Sequence, residues 1–475
     1  MTDLLNKAYD SEDFRKLGHE IVDLLADYLQ SQKMGKEKKV LPWQNPDNLL
    51  SKYQNDFKNN KNQNIKNFYA ELLNDSIHIY NPNYMGHQVC PPLPISAIAE
   101  LFNSLLNNGQ AIYEMGPAAN VMERIIIEWI SAKFNYPKEA FGILTSGGSI
   151  GNLTALLAAR QSQTQYDAWE KGSKKQFAIM VSEQAHYSVS RAVKIMGWGE
   201  QGIIQLPVDK NFRVDPNYLE KRYKEAIDKN IQVIAVVANV CNTATGSFDP
   251  IEKMADFCEK YKIWLHADAA HGGAAIFSEK YKHLLKGIDR ADSIVLDFHK
   301  MMMNSALTTA VLFKEGNKSY ETFSQKASYL LKGKQAYEWY NSANRSLECT
   351  KYWMSLKIYS IIKAYGEDIF KDYVETTFHI ASTFAKIIKK ENDFELALEP
   401  ESNIVCFRFN PENKNLSSAE LSTLNADKRK KLTEDGHFYI VQTDLSEETW
   451  LRVTLMNPFT TEKNIKEMLN ALRRI

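Results

Sequence analysis

The feature that most constrains the fold is an alternation of short apolar strands with helical segments after residue 118. The strand-like runs read "FAIMVSE", "QVIAVVANV", "IWLHADAA", "SIVLDF" and "TTAVLFK". Segments with helical spacing, such as "VMERIIIEWISAKF", accompany them. Strands that alternate with helices predict an α/β fold with a mostly parallel, doubly wound sheet. Because ligands of such sheets bind at the carboxyl ends of the strands, functional residues are expected there.

Two smaller parts are predicted to flank this sheet. The chain of 475 residues is long enough for two or three domains. We predict an N-terminal helical segment over residues 1–82, a large α/β domain over 83–370 and a small C-terminal α+β domain over 371–475. The C-terminal part combines long helical patterns with two β-like runs, "NIVCFRFN" and "ETWLRVTLM".

An amphipathic helix is predicted over residues 11–30. Ser11 can cap its N-terminus, and apolar residues recur at helical spacing from Phe14 to Tyr28. This helix precedes every predicted strand, so its apolar face needs a partner surface, which a second subunit can provide.

Composition excludes several classes of partner. Lys+Arg and Asp+Glu are both 58, so the chain lacks the basic surplus typical of nucleic-acid binding. The five cysteines are scattered without C-x-x-C spacing, which favours free thiols in a reducing compartment. No run approaches the roughly 18 apolar residues of a membrane helix, and the first residues lack the pattern of a secretory signal. We therefore expect a cytoplasmic protein without nucleic-acid or membrane partners.

A lysine stands at the end of a strand-like run, in "SIVLDFHK". Burial disfavours the charged form of a lysine, lowers its pKa and makes the amine a nucleophile, as in Schiff-base lysines. The alternative is that Lys300 extends its ammonium group into solvent from the end of the strand.

A second candidate is the loop "TSGGSIGN", which opens a helix directly after a strand. Its small residues let backbone N–H groups approach an anion, and the helix N-terminus favours negative charge. Ser146 and Ser149 add hydroxyl donors. The alternative is a plain tight turn.

Two further side chains follow strands. Asp268, in "HADAAHGG", is either a buried structural carboxylate or, with His266 and His271, part of a metal site. His186 lies between a strand and a helix, where a capping or core histidine is more typical than a catalytic one. Together with Lys300 and the anion loop, Asp268 and His186 are the groups that pyridoxal 5′-phosphate (PLP) requires.

Several motifs, in this order, resemble the group II PLP-dependent amino-acid decarboxylases. They are "PNYMGHQVCPPLP", "YEMGPAANVME", "NTATGSFDP", "HADAAHGG", then "DFHK", whose lysine lies 32 positions after Asp268, and finally "LRVTLMNPFTTEKNI". The resemblance extends from about residue 10 to 475. It implies the aspartate aminotransferase-like fold type I, a homodimer with N-terminal helices at the interface, PLP as cofactor and an L-amino-acid substrate.

The resemblance also implies roles for four catalytic residues. Lys300 binds the cofactor covalently, and Asp268 pairs with its pyridinium nitrogen. His186 stacks on the ring near the substrate carboxylate. Tyr329 lies on a mobile loop and donates the proton that replaces CO2 on the substrate carbon.

Five other residues are placed around the cofactor by the resemblance. Gly148, Ser149 and His299 lie around the phosphate, Thr243 lies near the ring and Asp268, and Ala270 packs against the ring.

The sequence departs from the family pattern at three positions. Asp297 and Phe298 stand where many members have Asn and Pro, and His271 stands where others have Tyr or Trp. A carboxylate cannot donate a hydrogen bond to phosphate, which argues against a phosphate contact at Asp297.

The pattern predicts a short polar substrate. "IYEMGP" is typical of the acidic branch, so aspartate or glutamate is expected first, whereas "MGHQ" and "DFHKMMM" are closer to bacterial diaminobutyrate enzymes. An aromatic amino acid is the third possibility. Outside this chemistry, a zinc-dependent hydrolase using His266, Asp268 and His271 and a catalytically silent relative stay open.

Overall fold

The computed structural model describes residues 2–35, 39–59, 64–323, 338–412 and 415–475. The chain divides into two compact units. One comprises Met1–His87, Ile380–Glu399 and Val405–Ile475, and the other comprises Gln88–His379 and Pro400–Ile404. The N-terminal helices and the C-terminal part therefore contribute to the same unit. The three-part division of the sequence stays a prediction.

The α-helices precede, separate and follow the strands in the described residues. In chain order they are α1 (Asp3–Ala8), α2 (Ser11–Lys33), α3 (Pro46–Tyr53), α4 (Asp56–Asn59), α5 (Ile65–Asn74), α6 (Pro94–Leu106), α7 (Pro117–Lys133), α8 (Gly148–Gln163), α9 (Ala168–Lys171), α10 (Tyr187–Ile195), α11 (Leu219–Asp228), α12 (Ile251–Tyr261), α13 (Lys318–Phe323), α14 (Ser355–Tyr365), α15 (Asp368–Ile388), α16 (Ser418–Asp435) and α17 (Glu462–Arg474). Among the described residues, no helix has the length and apolar character needed to cross a membrane.

The strands form one large and one small sheet. They are β1 (Phe141–Thr145), β2 (Phe177–Ser182), β3 (Ile203–Leu206), β4 (Gln232–Asn239), β5 (Trp264–Asp268), β6 (Ser293–Asp297), β7 (Thr309–Phe313), β8 (Phe394–Leu396), β9 (Ile404–Phe409), β10 (Val441–Leu445) and β11 (Glu448–Thr454). The large sheet has the order β1-β7-β6-β5-β4-β2-β3, and the small one β10-β11-β9-β8.

The large sheet confirms the predicted mostly parallel architecture. Strands β3, β2, β4, β5 and β6 pair in parallel, whereas β7 pairs antiparallel with both β6 and β1. Asn239, Asp268 and Asp297 end three neighbouring parallel strands, so they lie at one edge of the sheet. Thr309 begins β7 directly opposite Asp297, at the same edge.

Helix α8 lies close to the large sheet because glycine occupies its inner face. A Cβ atom on Gly151 would come within 3.2 Å of Thr309 and 3.3 Å of both Val295 and Val311. Around this contact the side chains of Phe177 and other strand residues are fully buried. Each such side chain contributes roughly 1.5–3 kcal/mol relative to an exposed one. This packing holds the N-terminus of α8 against the functional edge of the sheet.

The unit with the small sheet has its own core. Phe384 of α15, Phe407 of β9, Val453 of β11 and Leu469 of α17 are buried together there. The predicted amphipathic helix is confirmed as α2, but the predicted cap is wrong. Asp10 is the N-cap, and its carboxylate accepts the Glu12 and Asp13 N–H groups at 2.9 and 2.8 Å. A carboxylate also suits the positive end of the helix dipole.

Candidate active site

A cavity of about 410 Å³ lies at the carboxyl edge of the large sheet. This is within the usual range of small-molecule sites, roughly 300–1,000 Å³. The structure brings eight of the nine predicted site residues to its wall, namely Gly148, Ser149, His186, Thr243, Asp268, Ala270, His299 and Lys300. The ninth, Tyr329, lies outside the described residues. Residues outside these nine complete the wall, namely Ser146, Gly147, Asn152, Ser188, Asn239, Cys241, Asn242, His271, Asp297 and Leu307.

Lys300 reaches the cavity as an ammonium group held by a carboxylate. Its Nζ lies 2.9 Å from Asp297 Oδ2, and 20% of its side chain remains exposed. Burial acts to lower the pKa of Lys300, but the neighbouring Asp297 carboxylate outweighs burial and the pKa is raised. The expectation of a lowered pKa from burial alone is therefore wrong for the free lysine, because the sequence did not reveal that Asp297 is its partner.

Asp297 is almost completely buried, with 2% of its side chain exposed. Its carboxylate accepts the hydroxyl of Thr309 and lies 3.7 Å from His299 Nε2. Burial acts to raise the pKa of Asp297, but Lys300, His299 and the Thr309 hydrogen bond together lower it. The group is therefore a buried anion near neutral pH.

Asp268 presents a second carboxylate to the cavity from the end of β5. Asn152 Nδ2 donates to its Oδ2 at 2.8 Å, and the Ala270 N–H donates to its Oδ1 at 3.3 Å. These two donors fix the plane of the carboxylate and leave it oriented at the cavity wall. Such a group can accept a hydrogen bond from a protonated ring nitrogen.

His186 is both a helix cap and a cavity residue. Its Nδ1 accepts the Ser188 N–H at 3.2 Å at the start of α10. Burial lowers the pKa of His186, although Asp268 acts in the opposite direction. The imidazole is therefore neutral near pH 7, and because Nδ1 is an acceptor, its proton resides on Nε2. The capping role considered from the sequence is real and also orients the ring.

Asn152 links Asp268 to His186 and was missed by the sequence analysis. Its Nδ2 group donates to Asp268 at 2.8 Å and to Ser188 Oγ at 2.9 Å. The Ser188 hydroxyl then lies 2.8 Å from His186 Nδ1 and donates to it. The available signal was the position of Asn152 on α8, one turn after Gly148 and therefore on the same helix face.

His266 supports Asn152 from below the cavity. Its Nε2 lies 3.0 Å from Asn152 Oδ1, and its Nδ1 lies 2.8 Å from Ser293 Oγ, which accepts the Trp264 indole N–H. Since the Ser293 hydroxyl donates to Nδ1, the His266 proton is on Nε2 and points to Asn152. Burial lowers the pKa of His266 to about 4, which keeps this ring neutral.

The three residues considered for a metal site make separate hydrogen bonds. His271 Nε2 lies 2.7 Å from Asn403 Oδ1, while His266 and Asp268 meet at Asn152. In the part of the chain that the structure describes, no group of three or more His, Cys, Asp or Glu side chains is arranged to hold a metal ion.

The anion loop is formed as predicted, with one change. Gly147 has a φ of 114°, and α8 begins at Gly148, so the first N–H groups of the helix face the cavity. This φ is accessible to glycine and rarely to other residues. The Ser146 hydroxyl and N–H instead bind the Glu348 carboxylate, at 2.5 and 3.4 Å. Ser146 is thus engaged by a side chain at the rim of the cavity.

This set of donors and acceptors fits PLP. Lys300 provides the amine, Asp268 the acceptor for the ring nitrogen, and the start of α8 the N–H groups for a phosphate. The backbone at Gly148 can approach an anion closely because no Cβ atom intervenes.

Comparison with known proteins gives the family. The conserved domain of the pyridoxal-dependent decarboxylases matches residues 46–410, which contain all the predicted site residues. The chain belongs to this family, and the protein is a PLP-dependent carboxy-lyase. Membership of this family rejects two alternatives that the sequence left open, a zinc-dependent hydrolase and a catalytically silent relative.

Three curated relatives have different substrates in their names. An L-2,4-diaminobutyrate decarboxylase of Acinetobacter baumannii is 30% identical over 86% of this chain and 82% of its own. An aromatic-L-amino-acid decarboxylase of Bacillus atrophaeus is 28% identical over 99% and 96%. An aspartate 1-decarboxylase of Aliivibrio fischeri is 29% identical over 85% and 81%.

A solved structure has the same fold. The crystal structure of mouse CSAD superposes with a TM-score of 0.89 over 98% of this chain and 99% of its own, at 24% identity. The predicted fold type I is thereby confirmed.

Proposed function

We propose that the protein is an L-amino-acid α-decarboxylase that acts on a short acidic amino acid, aspartate or glutamate. The observation that carries this proposal is the lining of the cavity. Leu307 is the one large apolar side chain among the described lining residues, and the others are polar or small. An aromatic substrate would need a wider apolar wall, and the aspartate-decarboxylating relative supports an acidic substrate.

The proposed roles of the side chains follow from their places in the cavity. Bound PLP supplies the electron sink for the electron pair that remains when CO2 leaves. Lys300 is the covalent attachment point, and Asp268 keeps a proton on the ring nitrogen by accepting its hydrogen bond. His186 lies on the face of the ring and orients the substrate carboxylate. Tyr329 is proposed to return the proton to the substrate carbon.

The remaining residues are proposed to bind and orient the cofactor. The N-terminus of α8 at Gly148 and Ser149, together with His299, holds the phosphate. Thr243 and Ala270 flank the ring.

A substrate panel tests the proposal. The protein with PLP is incubated separately with L-aspartate, L-glutamate, L-2,4-diaminobutyrate, L-tyrosine and L-tryptophan, and CO2 release is measured. The highest kcat/KM is expected with aspartate or glutamate. A higher kcat/KM with diaminobutyrate or an aromatic amino acid would reject the acidic substrate while keeping the decarboxylase class. Lys300→Ala serves as the control for cofactor-independent CO2 release.

We also propose that the protein is a cytoplasmic homodimer. On α2, Phe14, Val22 and Leu25 are 50%, 44% and 47% exposed, and on α6, Phe102 and Leu105 are 55% and 69% exposed. Exposed apolar residues in such number are typical of a surface that another subunit covers. The five cysteines all lie in the described residues and form no disulfide bond there, which suits a reducing compartment. A fully active monomer in light scattering would contradict the dimer.

A further inference from the structure

The carboxylate of Asp297 lies directly behind the start of helix α8. Both of its oxygens would be 3.2 Å from a Cβ atom on Gly148. The same carboxylate binds Lys300 Nζ at 2.9 Å and accepts the Thr309 hydroxyl. Asp297 therefore stands between the attachment lysine and the helix N-terminus that is proposed to hold the cofactor phosphate.

The N-terminus of α8 favours a negative charge, and the Asp297 carboxylate already provides one there. The side chain of Asp297 is 2% exposed, so water screens its charge weakly. The positive end of α8 attracts the carboxylate and a phosphate alike. A phosphate at this helix end must therefore share a favourable field with a fixed anion and also experience its repulsion.

Two cations balance Asp297 in the described residues that surround it. Lys300 Nζ is at 2.9 Å and His299 Nε2 at 3.7 Å, where His299 counts only when protonated. Lys300 would hold the cofactor through the same amine, so its positive charge would no longer be available to Asp297 alone. The repulsion between Asp297 and a bound phosphate would then be less fully offset.

We propose that Asp297 sets how tightly the protein retains its cofactor, by weakening the binding of the phosphate group at the N-terminus of α8. The loaded enzyme then exchanges its cofactor readily, and its active fraction follows the supply of PLP. This inference rests on the proposed phosphate-binding role of Gly148, Ser149 and His299. Asp297 contacts the Lys300 amine at 2.9 Å, and in this account its charge acts on the phosphate group.

The test compares Asp297→Asn with the parent protein. Asparagine keeps the size of the side chain and removes the charge. Asp292→Asn is the matched control, because Asp292 directly precedes β6, at the opposite end from Asp297, and accepts the Leu265 N–H at 2.7 Å. Loss of the cofactor's visible absorption is followed after dilution into a PLP scavenger. Inorganic phosphate is measured as a competitor of PLP binding to cofactor-free protein.

Removing one like charge close to the proposed phosphate site is expected to change the affinity for the phosphate group by about tenfold. Asp297→Asn should retain PLP about tenfold longer, and phosphate should compete about tenfold more strongly. Asp292→Asn should resemble the parent. Pyridoxal, which has no phosphate, should bind parent and Asp297→Asn equally. A second variant, Asp297→Ser, should change retention in the same direction if the asparagine variant does not fold.

Three outcomes would overturn the inference. Equal retention and equal phosphate competition in parent and Asp297→Asn reject the role of Asp297 but leave the phosphate site intact. Tighter binding of pyridoxal as well as PLP shows that the carboxylate acts on Lys300 instead. Failure of phosphate to compete in either protein rejects the proposed phosphate site, and the inference with it.

Discussion

Two lysine–carboxylate pairs in the same unit show how one residue type serves chemistry or stability. Lys300 lies 2.9 Å from Asp297, with 20% and 2% of the two side chains exposed. Lys351 lies 2.6 Å from Glu123, with 0% and 7% exposed. The pairs are alike in distance, but only the first opens into the active-site cavity.

The two pairs differ in how many further hydrogen bonds each makes to the surrounding protein. Lys351 also donates to the Leu144 carbonyl at 3.0 Å. Glu123 accepts the Leu144 N–H at 3.2 Å and the Gln110 amide at 3.1 Å. This pair therefore ties helix α7 to strand β1. Lys300 keeps its amine accessible, so a buried lysine is reactive where a cavity adjoins it and structural where backbone groups complete its shell.

Lys300→Ala should have the largest effect on activity, because it removes the lysine of the pair that opens into the cavity. We expect loss of the visible cofactor absorption and at least a thousandfold loss of kcat/KM, because the covalent attachment point and its amine disappear. Borohydride reduction and peptide mapping of the parent should locate the pyridoxyl group on Lys300. Recovery of the label on another lysine would contradict the assignment.

Lys351→Met should affect stability instead of chemistry. It leaves the Glu123 carboxylate buried without its cation, which costs about 3–5 kcal/mol of unfolding free energy. Denaturant unfolding measures the loss, and the folded fraction should still bind PLP. The double variant Glu123→Gln/Lys351→Met should recover part of the loss. Loss of cofactor binding at unchanged stability would show that the comparison is wrong.

Asp268→Asn tests the second carboxylate that faces the cavity, which accepts Asn152 Nδ2 at 2.8 Å. Its loss should lower kcat by on the order of a hundredfold, the usual effect of removing one aligned electrostatic group. The unfolding midpoint should change little, since an amide can keep the size of the carboxylate. Activity within about threefold of the parent would reject the role of Asp268.

Asn152→Ala tests whether the link between Asp268 and His186 matters. Removing hydrogen bonds to a charged group costs about 1.5–3 kcal/mol, so a loss of at least about tenfold is expected. The loss should fall on kcat more than on KM, because Asn152 acts through Asp268. Asn425→Ala is the control, since its amide bonds only backbone groups in the other unit. An equal loss of activity in both variants would indicate a structural effect alone.

The smallest effect concerns the pH dependence of the Lys300–Asp297 pair in cofactor-free protein. Because the pKa of Lys300 is raised in the folded protein, charged Lys300 contributes fully to the free energy of unfolding below pH 10.5, its usual pKa. This contribution is lost as pH rises through the folded-state pKa. Because the pKa of Asp297 is lowered in the folded protein, ionised Asp297 contributes fully to the free energy of unfolding above pH 3.8, its usual pKa. This contribution is lost as pH falls through the folded-state pKa. The difference in unfolding free energy between parent and Asp297→Asn should therefore stay constant between about pH 8 and 9, above the usual range of histidine titration. A slope within that window would show that another group titrates with the pair.

Local patterns predicted the strands that form the centre of the large sheet. These strands are mostly apolar runs because they are buried on both faces, and such runs can be recognised in the sequence. They are β2, β4, β5, β6 and β7. The short strands β3, β8 and β10 were not predicted. Three to five residues with mixed exposure, as in β3 and β10, carry too little periodicity.

The sequence by itself determined the fold class and eight of the 18 residues that line the cavity. Parallel strands bring their carboxyl ends to one edge, so Asp268 and the end of β6 had to meet there. Tertiary structure decided which groups face one another. Asn152 meets Asp268 across 116 positions of the chain, and Glu123 meets Lys351 across 228. Whether a buried lysine is reactive or structural depends on such distant partners and on the cavity beside it, because hydrogen bonds and charge interactions act through space and not along the chain.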